Sequence, residues 1–237
     1  MVVRLNENVS EREAARVRAK GIAIRRALVE YYGPISLHPH RDPLSTLILT
    51  VLTQHTSDVN AERAFENLVK AFPTWDAVRN APVPKIAEAI KQAGLSNVKA
   101  PRIKEMLQRI SDLTGATNLD FLYGLDGERA REWLLSLKGV GPKTAACVLI
   151  FSLDKPAMPV DTHLYRLSRR TGLVDPRANP ERAQEFLESV LPPEEQKSFH
   201  VYMITHGRRI CRAQNPSCAG CPIRHLCDNP VCLPKNT

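Results

Sequence analysis

Leu137-Lys138-Gly139-Val140-Gly141-Pro142-Lys143-Thr144-Ala145-Ala146-Cys147-Val148-Leu149-Ile150 lies just past the middle of the 237-residue chain. Before it, Asp126-Gly127 leads into Glu128 to Leu137, where Ala130, Trp133, Leu134 and Leu137 fall on one helical face. After it, Thr144 to Phe151 is a second apolar helical run. Two glycines two apart break the pattern, and Pro142 stands where a helix accepts proline best, at its first position. The local reading is helix, Gly-Val-Gly hairpin, helix. Such a hairpin presents backbone N–H groups beside a helix N-terminus, a ready place for a phosphate.

Lys143 is the second residue of the new helix. The positive end of the helix dipole and a partly desolvated setting both favour a neutral amine there. A neutral lysine is a nucleophile that attacks a sugar or carbonyl carbon and forms a Schiff base. The blander reading has Lys143 touching a phosphate, and from this segment alone that reading takes precedence.

Composition narrows the partners. Lys and Arg number 33 against 25 Asp and Glu, a net charge of +8, which fits a polyanion and salt-sensitive binding. Hydrophobic residues make up 43% but aromatic residues only 5%, the profile of a helical protein packed with Leu, Ile, Val and Ala. No apolar run is long enough to cross a membrane, and Met1-Val2-Val3-Arg4-Leu5 has no signal-peptide pattern, so a soluble cytoplasmic protein is expected.

Residues 11 to 32 read as a basic helix closed by Gly33-Pro34, followed by a Pro- and His-rich linker from Ile35 to Arg41. Asp42-Pro43 then reads as an N-cap and first-turn proline. Leu44, Leu47, Ile48, Val51 and Leu52 mark a buried face. Gln54 to Asp58 interrupts it, and Ala61, Phe65, Leu68 and Phe72 continue it. Helices are expected over 75–79, 83–90 and 101–113, with Ala93-Gly94-Leu95-Ser96-Asn97 as a turn between the last two. Asp161 reads as the N-cap of another helix, and 181–190 and 194–206 as two more. No useful stretch alternates with the period of a strand, so the fold is expected to be all-α.

Five of the six cysteines crowd the end of the chain. Cys211, Cys218, Cys221 and Cys227 are spaced C-x6-C-x2-C-x5-C, close enough to surround one inorganic centre. Zinc and an iron-sulfur cubane are hard to separate on this chemistry, and disulfides fit a cytosolic chain less well. Cys232 is left over.

The hairpin with Lys143, the Val160-Asp161-Thr162-His163 segment, His206-Gly207-Arg208 and the cysteine tail follow one another as in endonuclease III. From about Pro34 onward the chain resembles that family of helix-hairpin-helix DNA repair glycosylases. The resemblance implies a six-helix barrel domain over 36–155 and a discontinuous second domain, 1–35 with 156–237, whose tail holds a 4Fe-4S cluster on Cys211, Cys218, Cys221 and Cys227. It implies catalysis by Lys143 and Asp161: a damaged nucleotide is flipped out, Lys143 attacks C1′, and the Schiff base breaks the strand by β-elimination. Oxidised pyrimidines in double-stranded DNA, or abasic sites, are the implied substrates of a monomer working at the nucleoid.

The resemblance also implies DNA contacts by Leu95, which would wedge into the duplex, by Gln54 or His55, which would fill the gap left by the flipped base, and by Lys138, Gly139, Val140 and Gly141. The family's gap-filling glutamine aligns with His55 rather than Gln54, and its frequent proline and basic residue in the hairpin are here Lys138 and Pro142. Two other readings compete: a monofunctional mismatch glycosylase, whose relatives lack the lysine, and a non-catalytic DNA-binding module, which needs neither Lys143 nor Asp161.

Overall fold

The structure is a computed structural model and describes residues 10–35 and 41–229. Cys232, the first residues of the chain and most of the Pro/His linker lie outside the described residues. Eleven α-helices follow one another there: α1 (Glu11–Tyr32), α2 (Pro43–Leu52), α3 (Asp58–Ala71), α4 (Trp75–Asn80), α5 (Val83–Ala89) and α6 (Ser96–Thr114). Then come α7 (Gly127–Leu135), α8 (Pro142–Phe151), α9 (Thr162–Arg170), α10 (Pro180–Val190) and α11 (Pro193–Arg209). No strand occurs among the described residues, so the all-α expectation holds. None of the described helices is long and apolar enough to cross a membrane. The chain divides into two compact units, His40–Lys155 and a discontinuous one made of Met1–Pro39 with Pro156–Thr237.

In the His40–Lys155 unit, α2 and α8 are apolar nearly all round and pack on each other. A helix of that kind belongs at the centre of its unit, and α3 to α7, apolar on one side, supply the cover. One polar contact crosses the central pair: the buried Ser152 Oγ donates to Thr46 Oγ1 at 2.6 Å. The sequence marks the start of α2 correctly, because Asp42 accepts from Ser45 N at 2.9 Å and Pro43 takes the first helical position.

The expected start of the helix at Pro101 is wrong by five residues. α6 begins at Ser96 and carries Pro101 inside it. Proline there removes only one early hydrogen bond, and the buried Lys99, Ala100, Ile103, Met106, Leu107 and Ile110 keep the first turns on the core. The turn expected over 93–97 therefore shrinks to Gly94 and Leu95, preceded by a short 3-10 segment, Lys91–Ala93.

In the other unit, α1 packs against α11 and α10, and α11 against α9. Ile24 and Leu28 meet Leu164, Leu167, Leu187, Phe199 and Met203 in one core. A side chain at Gly21 would put its Cβ 2.6 Å from Leu191 Cδ2, so glycine is what lets α1 lie this close to the α10–α11 turn. The orphan carbonyls that end α10 are met from outside it. Arg18 Nε donates to Val190 O at 2.8 Å, and Gln196 Nε2 to Glu188 O and Leu191 O at 3.0 and 3.1 Å.

Candidate active site

The hairpin between α7 and α8 is built by three local choices. Gly139 sits at φ +88°, a left-handed conformation that resists side chains. Val140 turns its side chain into the core at 7% exposure and its N–H donates to Leu137 O at 3.0 Å. That amide is therefore used inside the hairpin and is not free for a phosphate. Gly141 precedes Pro142 and brings no side-chain cap, unlike Asp42, Ser57, Asp126 and Asp161 before other helices. α8 thus begins with amides that no side chain covers, the arrangement that favours an anion. Lys143, in the first turn of α8, is half-buried. Lys138 is 92% exposed, with its Nζ 3.6 Å from Glu105 Oε2.

Two tips of the same unit hold the other predicted DNA-contacting residues. The loop after α2 carries Gln54, partly buried, and His55, exposed at φ +56°. Leu95 before α6 is 56% exposed at φ +50°. A left-handed backbone is uncommon for a residue other than glycine and most of all for a bulky one, and such residues cluster where function holds them. Sequence reasoning singles out both residues for other reasons and has no means of finding this conformation.

Asp161 caps α9, its Oδ1 accepting from Leu164 N at 2.7 Å. The segment that delivers it is fixed from behind. Met158 N donates to Glu188 Oε2 at 2.9 Å, and Nδ1 of the buried His200 donates to Pro159 O at 2.8 Å. Sequence reasoning missed both holding groups, since nothing local marks Glu188 or His200 as facing this loop. The His206-Gly207-Arg208 motif has a packing basis in its first two residues. His206 is fully buried, and burial pulls its pKa down to about 4, so the ring is neutral. A side chain at Gly207 would bring its Cβ within 3.0 Å of His163 Cβ. Arg166 Nη2 donates to Gly207 O and to Cys211 O, both at 2.9 Å, tying α9 to the start of the cysteine loop.

Cys211, Cys218, Cys221 and Cys227 line one cavity together with Leu167, Arg170, His206 and Ile223. They do not converge as a preformed site: among the described residues no group of three or more His, Cys, Asp or Glu side chains is arranged to hold a metal ion. Cys218 is in a disulfide, whereas Cys211, Cys221 and Cys227 are free thiols. Their surroundings nevertheless suit sulfur ligands. Arg170 Nη1 donates to Cys211 Sγ at 3.2 Å, and His206 Nε2 lies 3.4 Å from Cys221 Sγ while its Nδ1 is 3.0 Å from the Tyr32 hydroxyl. Burial pushes the Cys221 and Cys227 thiols up, and charge on Cys211 acts in the same direction. Thiols so crowded resist ionising together unless a positive centre lies between them.

The model of the HhH-GPD superfamily of base excision DNA repair proteins matches residues 48–193, more than half the chain. The chain belongs to this superfamily. It is 37% identical over 191 residues to endonuclease III of Thermotoga maritima, across 81% of this chain and 85% of that one. It is 31% identical over 189 residues to endonuclease III of Sulfolobus acidocaldarius, across 79% and 82%. Among solved structures, a non-covalent endonuclease III–DNA complex matches with a TM-score of 0.78 and 27% identity, covering 89% of this chain and 95% of the other. This HhH-GPD protein is an endonuclease III-like DNA glycosylase and abasic-site lyase of base excision repair. The superfamily match takes in the Gln54–His55 tip, Leu95, the hairpin with Lys143, and Asp161, and it ends before the cysteine loop.

Proposed function

We propose that the protein removes oxidised pyrimidines from double-stranded DNA and then cuts the strand through a covalent lysine intermediate. The observation that carries this reading is Lys143: a half-buried amine in the first turn of α8, directly after a hairpin whose glycines leave room for a phosphate. A DNA-gripping hairpin needs no lysine in that position, whereas lyase chemistry needs an amine.

In this mechanism the damaged nucleotide leaves the stack so that its C1′ can be reached. Leu95 enters the space between base pairs, and His55 or Gln54 faces the orphaned base. The exposed left-handed turn under His55 favours His55 over Gln54 for that part. Asp161 takes a proton from the Lys143 ammonium, Nζ bonds to C1′ as the C1′–N bond to the base breaks, and the base departs with the proton that Nζ then sheds. The sugar ring opens to an iminium, a proton is lost from C2′, and the C3′–O bond breaks with phosphate as the leaving group. Water then hydrolyses the imine and frees the lysine. Asp161 accepts the lysine proton and stabilises positive charge developing on the sugar.

The cysteine loop is assigned a 4Fe-4S cluster held by Cys211, Cys218, Cys221 and Cys227, an assignment that requires the Cys218 disulfide to be reduced so that all four sulfurs are thiolates. The shared cavity, the Arg170 donor at Cys211 and the mutual pressure on the thiols support the fit. Such a cluster supplies cross-links between loop segments. In this reading it shapes a DNA-touching loop and takes no part in bond breaking.

The test is a set of duplexes carrying thymine glycol, dihydrouracil, uracil or an abasic site. Base release from the first two, with strand cleavage that leaves a 3′ unsaturated aldehyde, is the expected outcome. Excision that leaves the strand intact would mean a monofunctional glycosylase, and binding alone a module without chemistry.

A further inference from the structure

Lys99 lies on the inward face of α6, four residues before Ile103, and is 3% exposed. A lysine is seldom so buried unless its ammonium is fully occupied. Here Nζ donates to two backbone carbonyls, Leu52 O at 2.8 Å and Ala93 O at 2.8 Å. Leu52 is the last residue of α2 and Ala93 the last of the 3-10 segment before Gly94. Both carbonyls are among the orphans that a helix end leaves, and one cation serves both.

What these two carbonyls precede gives the contact its meaning. Three residues beyond Leu52 is His55, and two beyond Ala93 is Leu95, the exposed left-handed residues of the two tips. The ammonium therefore joins the bases of the two loops that carry the duplex-probing side chains. Burial lowers the pKa of Lys99, yet Nζ is turned to carbonyl oxygens and away from solvent, so this lysine is not placed as a second nucleophile.

We propose that Lys99 is a positioning residue for base extrusion: by tying Leu52 O and Ala93 O together it fixes the spacing of the His55 and Leu95 tips, so that both enter the duplex in register. This rests on the function proposed above. Lys99 touches neither DNA nor the reacting sugar. Its loss leaves two buried carbonyls unpaired, and the loops relax to meet other donors. Displacing a tip by about 1 Å is enough to cost around a hundredfold in rate without removing a contact to the phosphate backbone.

The test uses Lys99→Met in the full chain, with a duplex that carries 2-aminopurine opposite a tetrahydrofuran abasic analogue and a second duplex containing thymine glycol. Wild type should change the 2-aminopurine fluorescence on saturation and excise thymine glycol. Lys99→Met should bind the analogue duplex with little loss of affinity, show a smaller fluorescence change per bound complex, and excise about ten- to a hundredfold more slowly in single turnover. A full fluorescence change in the variant, or an unchanged excision rate, overturns the proposal. So does parallel loss of binding and fold in both Lys99→Met and Lys99→Gln, which would make Lys99 a core residue only. Lys99→Gln keeps one donor and should fall between wild type and Lys99→Met. If wild type itself gives neither fluorescence change nor excision, the proposed function fails and the Lys99 proposal fails with it.

Discussion

Asp161 has two possible duties, and three substitutions separate them. Its Oδ1 caps α9 by accepting from Leu164 N at 2.7 Å, and its backbone is extended as an N-cap requires. Loss of a capping acceptor costs about 1 kcal/mol, and loss of the negative charge at the helix start about 0.5 kcal/mol more. Asp161→Ala should therefore lower stability by roughly 1–1.5 kcal/mol, a fall in Tm of a few degrees for a chain of this size. Asp161→Asn and Asp161→Ser keep a capping oxygen and should stay within about 0.5 kcal/mol of wild type. Against a total stability of about 5–15 kcal/mol, even the alanine variant remains almost wholly folded, so capping alone predicts near-normal turnover in all three. A carboxylate that moves a proton and faces developing charge predicts a loss of about a hundredfold or more in all three. Single-turnover excision and thermal melts on the same preparations decide. If Asp161→Asn excises at the wild-type rate, the carboxylate has no chemical part.

Three further variants have outcomes that follow from the structure. Gly172 stands at φ +64°, a left-handed conformation strained for any side chain, and a Cβ there would also push the Asp228 carboxylate aside, so Gly172→Ala should cost about 1–2 kcal/mol in a thermal melt. Because Asp228 adjoins Cys227 and holds Lys20 Nζ at 2.6 Å, the same variant should retain less iron after purification. Cys227→Ser should purify with less iron still, and an iron content equal to wild type would remove Cys227 from the ligand set. Lys138→Ala should weaken binding to damaged and undamaged duplexes alike and reduce the slope of log K against log salt by about one. Its exposed ion pair with Glu105 is worth too little to affect stability.

Much of the fold can be read from punctuation in the chain. Asp42-Pro43, Gly141-Pro142 and Asp161 each mark a helix start, because capping oxygens and first-turn prolines act over three or four residues. The start of α6 cannot be read this way. Pro101 looks like a beginning, and only burial of the preceding turn shows that the helix runs through it. That error also hides Lys99, which once the helix begins at Ser96 continues the inward stripe of Ile103, Met106 and Ile110. A charged residue on such a stripe is a signal in its own right.

The candidate site divides in the same way. Lys143 and Asp161 stand out by residue type and neighbours. The left-handed turns at His55 and Leu95 do not, since they depend on loop closure between separate helices. Nor do Glu188 and His200, which reach the segment before Asp161 from about thirty and forty residues away in sequence.

The central claim is that the Lys143 amine becomes bonded to deoxyribose. Borohydride added during reaction with abasic-site DNA should reduce the Schiff base and leave a stable protein–DNA adduct, with peptide mapping placing the mass on Lys143. Lys143→Ala should form none while still binding the duplex. An adduct of equal yield in Lys143→Ala, or one mapped to a different residue, would contradict the account.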